Sequence, residues 1–275
     1  MGTAARYEVV AHNTATTSTN KIHDDAIARR YGFSGGLVPG VDVYAYMTRP
    51  AAAAWGLDWL GGGTMRARFL LPVYEGETVA VVAREPASSA AGTTMAVEVV
   101  GPGGTVRAVG EAGCTTQDRG DDGADPLSMW PVVPQSDNPP PASPESLAAG
   151  TALGLAAHRF HAEHAHEYLA EVREELPLYD EAGVAHPGWL LRDANSVLGR
   201  NVRLGPWIHV ESEVRHHSVV GDGDAVEARA VVTREWDRKG HRFVELDVGL
   251  VANDDRLVAR ITHTAIYRPR EPAEA

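Results

Sequence analysis

A repeat inside the chain limits its folds more than any other feature. The run Val73-Tyr74-Glu75-Gly76-Glu77 recurs 147 residues later as Val220-Gly221-Asp222-Gly223-Asp224. Arg68 then falls opposite Arg215, and Val38-Pro39-Gly40 falls opposite His186-Pro187-Gly188 at a spacing of 148. A chain of 275 residues suits two domains or one fused pair. The repeat selects two copies of one unit in tandem.

Both copies read in the same order. After Pro39-Gly40, the residues Val41, Tyr44, Thr48, Ala51 and Trp55 recur at spacings of three and four, which predicts a helix near 41–56. Pro50 should kink that helix or end its first part, and Gly61-Gly62-Gly63 should break it. Met65, Ala67, Phe69 and Leu71 then alternate with Arg66 and Arg68, the pattern of a half-buried strand. TVAVVARE, TTMAVEVVG and TVRAVGEAGCTT follow as three more strands. In the second copy Leu190, Ala194, Val197 and Leu198 mark a helix near 189–201, and four strand patterns come after it. Between the copies the chain is rich in Pro, Asp and Ser and has no periodicity, as a linker does. The division is therefore 1–117, a linker at 118–146, and 147–275.

The stretch Ser18–Arg49 holds the chemistry. It places His23 beside Asp24 and Asp25, runs through Gly32-Phe33, and reaches Pro39-Gly40 before the first long helix. A helix that starts at glycine offers bare N–H groups at its positive end, suited to a carbonyl or oxyanion. An imidazole upstream and such a helix start downstream are two parts of a proton-transfer site on a thioester or similar carbonyl.

This stretch resembles the motif of MaoC-like hydratases and dehydratases, the (R)-specific enoyl-CoA hydratase group of the hotdog fold. Asn20, Ile22, His23, Asp25, Ala28, Gly32, Phe33 and Gly40 match the family pattern, with about one residue lost between Asp25 and Ala28. Lys21 stands in place of the family's proline, and Ser18 in place of its catalytic aspartate. The resemblance implies an α+β tandem hotdog, in which antiparallel sheets each wrap a long central helix. It implies acid–base chemistry on an acyl thioester, interconverting enoyl and 3-hydroxyacyl groups, with no cofactor beyond the thioester itself. Expected partners are that small acyl substrate and a second hotdog subunit or a second copy of the chain.

The resemblance also orders the candidate residues. His23 and Asn20 are expected at the reacting centre. Ser18, Gly40, Val41 and Tyr44 are expected to contact substrate, with Gly40 or Val41 N–H as the oxyanion donor. A serine cannot act as the base, so an acid must come from elsewhere. Asp193, five residues into the second helix, is the expected replacement; pairing with Arg192 or Arg200 at the rim is its bland alternative. Asp24 and Asp25 read as first-turn helix acids. The second copy lacks the Asn-x-x-His pattern, so one site per chain is expected. Two other roles stay open: a catalytically silent acyl-binding or partner hotdog, and a dehydratase or cyclase of a polyketide-like intermediate.

Composition excludes other classes. A formal net charge of −12 argues against nucleic-acid binding, which needs a basic patch. No apolar run approaches the ~18 residues of a membrane span, and the first residues lack a signal peptide's apolar core. The single Cys114 excludes an internal disulfide, and the chain reads as cytoplasmic. His158, His161, His164 and His166 in AAHRFHAEHAHEY read as a solvated helix face and not as metal ligands.

Overall fold

Residues Val41 to Thr48 are all buried, so the first long helix must be covered on every side. The computed structural model, which describes residues 5–89, 92–114 and 126–270, shows how. Strands β1 (Ala5–Val10), β2 (Thr64–Phe69), β3 (Thr78–Ala83), β4 (Ala87–Ser89), β5 (Gly92–Val100) and β6 (Val106–Cys114) belong to the first half. They accompany the short helix α1 (Asp25–Arg30) and the long helix α2 (Gly40–Leu60). The second half contains β7 (Ala152–Arg159), helices α3 (Ala162–Glu171), α4 (Leu178–Ala182) and α5 (Pro187–Asn201), and strands β8 (Ile208–His216), β9 (Ala225–Arg238), β10 (His241–Ala252) and β11 (Arg256–Arg268). The halves do not form separate sheets. They join edge to edge through antiparallel β2 and β8 into one sheet, ordered β1-β3-β5-β6-β2-β8-β11-β10-β9-β7, with β4 paired to β5. Each half wraps its own long helix. This is a double hotdog.

The repeat is exact enough to be seen in hydrogen bonds. Val38 N–H donates to Val73 O at 2.8 Å, and Ala185 N–H donates to Val220 O at 2.9 Å. Gly76 and Gly223 take positive φ values of 73° and 83°, which favour glycine, and so fix both copies of the turn. In β2, Met65 and Ala67 face inward while Thr64, Arg66 and Arg68 face out, as their alternation dictates.

Three expectations change. The helix passes through Pro50 and breaks instead at Gly56, at φ 54° and ψ −138°. Proline supplies no N–H to the carbonyl four residues earlier, and the hydroxyl of Tyr7 on β1 donates to that Tyr46 carbonyl instead. The edge strands β1 and β7 have no counterpart among the predicted strands. Their alternation is weak because much of each strand is exposed at a sheet edge. The histidine-rich run is therefore not one helix: His158 lies on β7, His161 caps α3, and His164 and His166 lie within α3.

From residue 126 the connecting segment lies against the second half. Trp130 is buried over Gly249, where a Cβ would meet its ring. No helix among the described residues is long and apolar enough to cross a membrane.

Candidate functional site

The site is built first by backbone. Asn20 caps a short 3₁₀ turn, Lys21–His23, by accepting from Ile22 N–H at 3.3 Å. Asp24 caps α1 by accepting from Ala26 and Ile27 N–H at 3.0 and 3.1 Å. Asp25 accepts from Gly36 N–H at 2.8 Å and pairs with Arg29. Both acids are therefore used structurally. Ile22 packs with Ala28 and Leu37 in a small cluster of its own. That cluster fixes His23 against Leu37.

One contact sets the chemical state of His23. Its Nδ1 lies 2.7 Å from the Leu37 carbonyl, which can only accept, so Nδ1 holds the proton. Nε2 then carries the lone pair that can act as a base. Burial pushes the imidazole below its usual range, against the pull of the Leu37 bond and the Asp42 charge. At neutral pH the ring is a neutral base with a defined tautomer.

Asn20 joins this base to the other half of the chain. Its Nδ2 donates to Trp207 O at 3.0 Å, and its Oδ1 accepts from Trp207 N–H at 3.1 Å. The same Nδ2 lies 3.3 Å from His23 Nε2. A side-chain amide thus pairs with both backbone groups of one residue 187 positions away. Asn20→Ala leaves both Trp207 groups unpaired. A lower denaturant midpoint, equivalent to ~1–3 kcal/mol, is the expected result.

Two cavities meet at His23. A polar one of about 810 Å³ is lined by Thr14, Thr17, Ser18, Thr19, Ser136 and Arg192, among others. An apolar one of about 280 Å³ is lined by Phe33, Val43, Phe69, Leu71, Ile208 and Ile266, among others. Asn20, His23, Pro39, Asn195 and Trp207 line both and so form the neck between them. The start of α2 stands at this neck. Val41 lines the polar cavity and Gly40 the apolar one, while the first helical turn uses Asp42 and Val43 N–H, both donating to Pro39 O. Gly40 must be glycine, because a Cβ there would lie 2.8 Å from His209 Nδ1. Ser18 lines the polar cavity, and its Oγ accepts from Asn20 N–H at 3.1 Å.

The second copy of this helix start is closed by its own residues. Gly188 N–H donates to His186 Nδ1 at 2.9 Å, and a Cβ on Gly188 would meet the Tyr168 hydroxyl. The amide that could hold a carbonyl is already used, and Tyr168 occupies the adjoining space.

Five candidate residues come together: Ser18, Asn20, His23, Gly40 and Val41. Two do not. Tyr44 is fully buried in the core and lines neither cavity; its face of α2 turns inward. Asp193 is also turned away. It is 5% exposed and lies 2.9 Å from His158 Nε2 through each of its carboxylate oxygens. The reason is helical geometry. Arg192, Asn195, Ser196, Gly199 and Arg200 recur at spacings of three and four, so they share one face of α5 and line the polar cavity, and Asp193 falls off that face. Neither Arg192 nor Arg200 is its partner. Asp193→Asn should leave turnover within ~3-fold of wild type while lowering thermal stability, because it weakens a part-buried hydrogen bond to His158.

Four positions around the candidate site were not singled out as part of it from the sequence: Trp207 and Asn195 line the neck, and Arg192 lines the polar cavity and pairs with the buried Asp42 behind it. Asp42 is fully buried, 2.9 Å from Arg192 Nη2, and accepts from Thr14 Oγ1 at 2.6 Å. Burial pushes its carboxyl up, while Arg192 and Thr14 pull it down. The pair ties α2 to α5 beneath the site. Arg192 also holds Glu171 at 2.9 Å, so one guanidinium bridges two acids.

No protein-family model matches the chain, and no curated protein matches it in sequence. Solved structures do. One, from Chloroflexus aurantiacus J-10-fl and named for a MaoC domain dehydratase, has a TM-score of 0.66 at 11% identity, covering 99% of this chain and 97% of its own. One from Mycobacterium tuberculosis, described as a double hotdog fold, has a TM-score of 0.61 at 14% identity, covering 97% and 96%. One from Novosphingobium aromaticivorans DSM 12444, named as a thioesterase, has a TM-score of 0.57 at 14% identity, covering 96% of each chain. At these identities the likeness establishes the double hotdog fold.

Proposed function

We propose that the chain processes an acyl thioester by general-base chemistry at His23, interconverting enoyl and 3-hydroxyacyl groups. The observation that supports this best is the neck itself. A neutral imidazole, its unprotonated Nε2 met only by Asn20 Nδ2 at 3.3 Å, stands beside an open helix start, between an apolar and a polar cavity. The acyl chain suits the apolar cavity, and the amide-bearing arm of the thioester suits the polar one. The carbonyl lies at the Gly40 and Val41 amides.

In hydration, Nε2 takes a proton from water as the water oxygen bonds to C3. The electron pair moves through Cα to the carbonyl oxygen, where the amides hold the charge. The resulting imidazolium then returns the proton to Cα, so one group moves protons at both steps. Ser18 and the placement of Asp193 leave His23 as the proton carrier. No cofactor is needed for this chemistry, and the partner is the small acyl substrate.

A second reading uses the same atoms. Water activated by His23 can attack the thioester carbonyl, and the amides would then hold a tetrahedral oxyanion. The similar structure named as a thioesterase favours keeping this reading. One assay separates the two. With a short enoyl thioester, hydration removes enoyl absorbance and releases no thiol, whereas hydrolysis releases free thiol. Loss of absorbance without thiol is the expected result. Thiol release would replace hydration with hydrolysis. Neither signal, with retained binding of the ester, would leave an acyl-binding or partner role.

A further inference from the structure

We infer that Asn195, contributed by the second half, is the group that holds the reacting oxygen at the neck where His23 acts. This rests on the proposed His23 chemistry. Asn195 lies on the cavity-facing side of α5 and lines both the polar and the apolar cavity. The other shared residues are occupied. Asn20 is committed to Trp207, Ile22 and His23, and His23 Nδ1 is committed to Leu37. Asn195 is not: its Oδ1 is buried with no hydrogen-bond partner. Leaving a buried amide oxygen unpaired costs ~1–3 kcal/mol, and protein interiors rarely leave one so. An amide at this place answers the loss of the acid at position 18 in a particular way. It cannot move a proton, but it both donates and accepts. Its Oδ1 is turned from the cavity, so the N–H is the group offered to the neck, where it fits the oxygen of the attacking water and the oxygen of a hydroxyl as it leaves. A carboxylate at the same point would pull the imidazole up, since an opposite charge favours the protonated ring. Asn195 keeps the neck uncharged, and so leaves His23 a neutral base.

Asn195→Leu and Asn195→Asp test this against wild type with the short enoyl thioester, using kcat, KM and the pH dependence of kcat/KM. Asn195→Leu should lower kcat by ~10–100-fold while KM stays within ~3-fold, as expected for a contact made mainly in the transition state. Asn195→Asp, nearly the same shape, should move the rising limb of the pH profile, which reports His23, upward by ~1 unit. Should the leucine variant fail to fold, the aspartate variant decides alone. A kcat within ~2-fold of wild type in Asn195→Leu, or an unmoved limb in Asn195→Asp, overturns the assignment. If His23→Gln abolishes turnover and Asn195→Leu does not, the assignment falls and the His23 reading stands. If wild type turns over no thioester, the His23 reading falls instead. Asn195 is then judged by binding of an unreactive acyl-pantetheine thioether: a loss of at least ~5-fold in Asn195→Leu upholds it as a ligand contact, and unchanged affinity overturns it.

Discussion

His23→Gln should lower turnover of an enoyl thioester by ~10²–10⁴-fold without unfolding the protein. Glutamine can keep the donor that Leu37 accepts, because its amide N–H can reach the same carbonyl. It cannot take a proton. The loss should therefore appear in kcat, with the melting temperature nearly unchanged. The wild-type pH profile supplies an independent check. Burial lowers the His23 pKa from its ordinary 6.5, so the active neutral form persists below that value. Activity should rise with pH along one limb centred below 6.5 and then level off. Stability follows the same sign. A histidine whose folded pKa is lowered binds fewer protons folded than unfolded, so the protein loses stability as pH falls from 6.5 through the folded value. His23→Gln should flatten that part of the stability curve. A fully active glutamine variant would remove His23 from the reaction.

How much of this could be read from sequence depends on the range of each interaction. The repeat was legible because each copy must rebuild the same turn, with glycine at positive φ in Gly76 and Gly223. The long helices and inner strands were legible because burial enforces a period. Edge strands β1 and β7 were not, since an exposed edge tolerates many residue types. The same distinction runs through the site. Ser18, Asn20, His23, Gly40 and Val41 lie within one local stretch whose spacing carries the motif, and they come together at the neck. Asp193 was chosen by its distance along α5, without regard to which face it occupies. Two residues further on lies Asn195, on the side that the cavity sees. A count of α5 residues by helical face, with Arg192, Ser196 and Gly199 as polar or small companions, would have preferred it. Nothing local marks Trp207. Its part in the site is made by its backbone, and only the fold brings it to Asn20.

Gly36→Ala should be the most damaging single methyl in the candidate site. A Cβ at residue 36 would land on the backbone carbonyl of His23, and it would also crowd Asp24. Neither neighbour is a flexible side chain that can swing aside. The two segments are bonded along this contact: Gly36 N–H donates to Asp25, Leu37 N–H donates to Ile22 O at 3.3 Å, and Leu37 O accepts from His23. Relief of the clash must separate 36–37 from 22–25, which lengthens the bond that fixes the His23 tautomer. Overpacking of this kind costs ~1–3 kcal/mol. The effect on rate should be larger in proportion, because a misplacement of ~1 Å can cost ~10²-fold. Gly35→Ala is the matched control. Its Cβ would meet only the Asp25 carboxylate, 3.1 Å away on a solvent-exposed side chain, so relief there disturbs at most the Gly36–Asp25 bond and leaves both bonds of Leu37 in place. Gly35→Ala should therefore keep turnover within ~3-fold of wild type while Gly36→Ala loses at least ~10-fold and melts earlier. Equal behaviour of the two variants would show that the packing of 36–37 on 22–25 does not set the position of His23. The registration of the base would then have to come from the Asn20–Trp207 pairing alone, and Asn20→Ala would have to show the larger loss of rate.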